Sequence, residues 1–145
     1  MEKKYKLTEE TTIHQGRTLH RIEALKNFGN VKKGDKGGWI ENEFNLSQEG
    51  DCWVGEDTKV YGDVWVYGHA QVCDHAVVRD NSRVNGHAHV YDNAVICGDA
   101  QVYGEAKVGG HVRIGGNARV FGNANVGGNM TISGFARVFG DSEIM

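Results

Sequence analysis

Seven histidines and three cysteines give this 145-residue chain its widest chemical range. An imidazole can exchange a proton near neutral pH and can hold a metal. Three histidines share one local setting, in Val66-Tyr67-Gly68-His69, Val84-Asn85-Gly86-His87 and Val108-Gly109-Gly110-His111. His69, His87 and His111 are therefore the candidates for a general base acting on a hydroxyl or amine. His87-Ala88-His89 is the close pair, and no metal site is expected within one chain, although zinc shared across subunits stays open. Cys52, Cys73 and Cys97 are odd in number and form no C-x-x-C pair, which fits a reduced, cytoplasmic compartment.

What these residues can do depends on what positions them. From Val54 to Val138 a β-branched residue recurs every six positions, fifteen times without insertion or deletion. The position two before each is usually Ala; the third of each unit is Gly in eleven units, and the fourth is Asp, Asn or His in thirteen. A β-branched residue suits a buried strand position, and a small one fits where walls converge. Gly followed by Asn, Asp or His reads as a corner whose residues tolerate positive φ, the fourth position included. That alone accounts for the histidines found there.

Strands this short bury a face only by winding and stacking. Three units close a triangular coil of 18 residues, and coils stack at about the 4.8 Å strand spacing. Fifteen units predict five coils. The fold expected is all-β: residues 1–45 a small N-terminal β cap, residues 46–145 a parallel β-helix. In the cap, Thr11–His14 and Thr18–Ile22 read as a hairpin across Gln15-Gly16-Arg17, with Trp39, Ile40, Phe44 and Leu46 plugging the first coil. At the far end, Asp141 and Glu143 serve as charged guards of the open strands, or a second copy covers them.

Composition narrows the function classes. Gly is abundant at 21 and Pro is absent, which excludes collagen-like and proline-rich chains. No apolar run is long enough to span a bilayer, and the first residues do not read as a signal peptide. Residues 1–40 hold nine Lys/Arg against five Asp/Glu, whereas residues 41–145 hold seven against fourteen. An acidic body argues against general nucleic-acid binding.

The hexads of residues 54–145 resemble the hexapeptide-repeat superfamily, which includes acyltransferases and γ-class carbonic anhydrases. That resemblance implies a left-handed winding and a homotrimer. Thr18–Leu25, Gly37-Gly38-Trp39-Ile40-Glu41, Asn45-Leu46-Ser47 and Gly50-Asp51-Cys52-Trp53-Val54 are similar to a cap. It occurs in bacterial and phage β-helix proteins often labelled as transferases or polymer-forming proteins. The likeness implies a phage or prophage gene.

Residues 18 apart should stack in columns, so the outer walls are legible. The first wall carries Trp65, Tyr67, Arg83, Asn85, Gln101, Tyr103, Arg119, Phe121, Arg137 and Phe139. Tyr103, Phe121 and Phe139 form a vertical ladder beside Arg119 and Arg137, the composition of an interface. The second wall includes Cys97 and the third Cys73, so neither is expected to be catalytic, while Cys52 points inward. The expected function is a non-catalytic, oligomeric binding or scaffold protein that engages a host protein or sequesters a small ligand. A nucleotide is one candidate, its base on Tyr or Phe and its phosphate on Arg119 or Arg137. No cofactor is expected. One alternative is an acyltransferase using coenzyme A, with a corner histidine as base. Against it, residues 54–143 contain no loop leaving the coil to enclose a substrate. A structural protein assembling end to end is the other alternative.

Overall fold

The computed structural model describes residues 3–55 and 57–144. It is a left-handed parallel β-helix with almost no helical segment. Two-residue strands run up each of three parallel walls, and equivalent residues 18 apart pair in register, as Val84↔Val102↔Val120↔Val138 do on the first. The second wall stacks Val60, Val78, Ile96, Ile114 and Ile132, and the third stacks Val54, Val72, Val90, Val108 and Val126. All these β-branched side chains point into one continuous core, with eight of the nine fifth-position alanines between them; Ala136, in the last coil, is exposed. Burying each Val or Ile contributes roughly 1.5–3 kcal/mol, set against the entropy of ordering the backbone.

The corners correct one expectation. Positive φ falls at the third position of the hexad, on glycines such as Gly86 (66°) and Gly104 (69°), and on Asp74, Asp80 and Asp92. Among the described residues, no fourth-position side chain stands in that region. The third position must be small because coils approach closely there: a Cβ on Gly86 would lie 2.8 Å from the amide nitrogen of Gly104. Where Asp replaces Gly, its carboxylate accepts the N–H of the coil below, as Asp80 Oδ2 does from Gly98 (2.8 Å). This bond offsets part of the left-handed strain.

The helix starts earlier than the repeat. β1 (Tyr5–His14) and β2 (Arg17–Ala24) form an antiparallel hairpin whose turn is Gln15-Gly16 alone, with Arg17 already paired to His14. Both turn residues have positive φ, the two-residue hairpin geometry. β3 (Lys36–Ile40) pairs antiparallel with β2 and parallel with the second wall, placing Ile40 on Val60. Leu46 bridges to Val66. Ile40, Leu46 and Val54 thus form a sixth coil at the top, drawing residues 36–45 of the expected cap into the helix.

Single-use polar ties hold this coil. Val54 follows Leu46 by a step of eight positions where six would keep register, and the surplus bulges at residues 47–52. Buried Lys4 reaches into that bulge, its Nζ donating to the carbonyls of Cys52 (2.8 Å) and Gly50 (3.3 Å). Buried Asn45 donates to Gly62 O (3.1 Å) and Val64 O (2.9 Å). Gly38 is obligatory by contact, since a Cβ there would lie 2.2 Å from the carbonyl oxygen of Gly55. Ile40 and Leu46 plug the coil, but Trp39 is only half-buried, with Arg21 over its ring, and Phe44 is 52% exposed. Tyr5 and Trp53 fill the core where Phe44 was expected, meeting edge to face at 6.5 Å.

Candidate functional site

The first wall carries the aromatic ladder, and backbone register builds it. Bonds such as Tyr103 N–H to Val120 O and Phe121 N–H to Val138 O, both 2.9 Å, set each residue above its counterpart. Tyr103 stacks on Phe121 at 5.0 Å between centroids and 3° between planes, and Phe121 on Phe139 at 5.3 Å and 11°. The rings therefore spend their faces on one another and present edges to solvent. Nucleobase stacking is left only the two end faces of this ladder. Higher on the wall, Trp65 and Tyr67 lie 4.0 Å apart, with Arg83 over Trp65 at 5.9 Å. Trp65, Glu43, Phe44, Asp63 and Arg83 line a groove of about 570 Å³ where the wall meets the first coil.

Charge follows the same columns. Arg119 and Arg137 are exposed, and neither forms an ion pair among the described residues. The corner beside the arginines carries exposed Asp63 and Asp99; the corner beside the ladder carries exposed Glu105 and Asp141. One face thus holds Arg83, Arg119 and Arg137 beside the ladder, with two carboxylates on each edge among Asn, His and Phe corners.

The candidate bases separate into two groups. His69 and His87 share an edge and stack at 4.6 Å with 6° between planes. His69 Nδ1 is hydrogen-bonded to the Asp51 carboxylate, which fixes that ring. His111 lies on another edge, in the column of Asp57 and His75, whose side chains are 3.8 Å apart. None of the three is enclosed: each is exposed on a corner. Among the described residues, no group of three or more His, Cys, Asp or Glu is placed to hold a metal ion. None of the described helices is long and apolar enough to cross a membrane.

The cysteines bring a finding that sequence reasoning missed. Cys52 is fully inside, as expected. Cys97 is 8% exposed rather than open on the second wall, because its Sγ settles over Gly115. Cys73 is part-exposed on the third wall, and its Sγ lies 3.4 Å from His89 Nε2. These residues are 16 apart, the second position of one coil and the sixth of the next. Reading columns at a spacing of 18 passes over such a diagonal. Burial, with Asp74 and Asp92 nearby, pushes the Cys73 thiol up to about 11.

Comparison with known proteins extends only over part of the chain. A family model described as the YdcK beta solenoid repeat matches residues 112–128. A stretch of 60 residues is 37% identical to the "Uncharacterized acetyltransferase YdcK" of Escherichia coli (strain K12). That match covers 36% of this chain and 18% of the relative, so the chain spans less than a fifth of the relative's length.

Proposed function

Because the chain belongs to the hexapeptide-repeat β-helix proteins, we propose that it is an oligomeric scaffold whose first wall packs against a second copy of itself. The observation that carries this reading is the charge layout of that wall. Among the described residues Arg119 and Arg137 have no ion-pair partner; they stand beside an aromatic ladder, with Glu105 and Asp141 along its far edge. In a head-to-tail contact the arginines of one copy meet the carboxylates of the next, and the ring edges close the space between them. A rotation that returns to its start makes a ring, and the resemblance to the hexapeptide-repeat superfamily favours three members. Such a prism offers the grooves between its subunits to a host protein or a small ligand. The phage or prophage origin belongs to this same reading.

Sedimentation tests it. The wild-type chain is expected at three times 15.9 kDa, and Phe121→Glu at the monomer mass with unchanged circular dichroism. A wild-type monomer, or a trimer that survives Phe121→Glu, overturns the use of this wall.

A second reading has its own observation. His69, held by Asp51 and stacked on His87, has the carboxylate-oriented form of a general base. The part-length likeness to a protein named an acetyltransferase supports acyl transfer from coenzyme A at that edge. Turnover of acetyl-coenzyme A that disappears in His69→Ala and His87→Ala supports it.

A further inference from the structure

We infer that Cys73 and His89 form a nucleophile–base pair that accepts an acyl group from a thioester, a chemistry separate from the first wall and from the corner histidines. Within the described residues this pair puts a thiol and an imidazole in hydrogen-bond contact, at 3.4 Å. It sits in a hollow of about 320 Å³ lined by Cys73, Asp74, His89, Tyr91 and Lys107.

The repeat itself opens this hollow. Cys73 occupies a column in which Gly55 stands above and Tyr91 below. Gly55 offers no side chain to cover the thiol; a Cβ there would come within 3.2 Å of Cys73 Cβ. Below, the Tyr91 ring leans down onto Gly109, filling the space that a Cβ at 109 would need. His89 is held between the thiol and Tyr91, its ring centroid 5.2 Å from that of Tyr91. Lys107, next below His89 in its column, brings an ammonium to the same hollow, where charge develops on a carbonyl oxygen under attack.

The thiol is neutral at physiological pH, since burial and the carboxylates of Asp74 and Asp92 oppose the thiolate. It therefore cannot act as a preformed ion pair and needs a base at the moment of attack. With its ring proton on Nδ1, His89 takes the thiol proton at Nε2 as Cys73 Sγ bonds to the carbonyl carbon. The tetrahedral adduct then breaks its bond to the departing sulfur, and His89 returns the proton to that thiolate. A thioester and a thiol go in; acyl-Cys73 and a free thiol come out, with no oxidant or further reactant. The groups facing the pair are Asp74, Asp92, Tyr91 and Lys107, so the rate senses their charges as well as that of His89.

The test is acetyl-coenzyme A offered to the full chain, read by intact mass and peptide mapping. One acetyl group on Cys73 is expected, labile to hydroxylamine and absent in Cys73→Ala. Buried Cys52 and Cys97 serve as internal controls. His89→Gln should slow acylation by about 100-fold or more, the usual worth of a general base, with an unchanged melting temperature. Acetyl groups on lysines alone, no acylation, or an equal rate in folded His89→Gln overturns the pair. None of these results depends on the oligomeric state, so this inference and the scaffold reading fail independently.

Discussion

The first coil and the five beneath it have the same triangular core but are held by different means. Below Val54, among the described residues, the corners repeat one solution, Gly or Asp at positive φ and a backbone bond to the coil beneath. In the first coil the spacing fails, and Lys4, Asn45 and Gly38 hold it through contacts that the hexad pattern does not supply. A repeat spreads its stability over many equivalent contacts, whereas an irregular turn concentrates it in a few. In a solenoid, where a coil touches only its neighbours, that difference decides how far damage spreads.

The largest effect is expected in the regular region, where any inward position supports two neighbours. Val102 is fully buried between Val84 and Val120. Val102→Asp places a carboxylate there with no partner, a loss of more than about 4 kcal/mol. Circular dichroism should show a chain largely unfolded at 25 °C. A cooperative melt close to wild type would mean that the coils do not share their stability, and the comparison would collapse.

The first coil should break more locally. Asn45→Ala removes two donors from the carbonyls of Gly62 and Val64, one of them fully inside. The expected cost is about 2–3 kcal/mol, since those oxygens are left without partners. Hydrogen exchange should accelerate across residues 40–54 while residues 84–126 keep their protection. Uniform acceleration along the whole chain would show that the top coil is as tightly coupled as the rest.

The same division explains what the sequence made legible. Hexads with Val or Ile first and Ala fifth leave one winding that buries every β-branched side chain, so the walls and the columns of Tyr103, Phe121 and Phe139 follow directly. Ile40 and Leu46 belong to that pattern too, but the eight-residue step to Val54 hides them from a search for sixes. Ring orientation is beyond residue type: a column of aromatics can splay its faces outward or, as here, stack them at 3° and 11°. The Cys73–His89 contact needs the diagonal offset between coils, which depends on how the corner turns. Positive φ does not account for His69 and His87 at the fourth position, because Gly68 and Gly86 take that conformation one residue earlier. Their presence there is left to their exposure and to Asp51.

The smallest effect is expected where the repeat has two answers to one corner. Asp80 stands at φ 68°, a position that eleven other hexads fill with glycine. Its carboxylate earns its place through the 2.8 Å bond from Gly98 N–H and the contact with Arg79 at 3.2 Å. Asp80→Gly gives up the bond and relieves the strain, two terms of about 1 kcal/mol each with opposite sign. Stability should stay within roughly 0.5 kcal/mol of wild type. Asp80→Ala gives up the bond and keeps the strain, so it should cost about 1–2 kcal/mol more than Asp80→Gly. Thermal melts of the two variants decide the matter. If glycine proves as costly as alanine, the corners are not interchangeable, and the regular coils are as individually tied as the first.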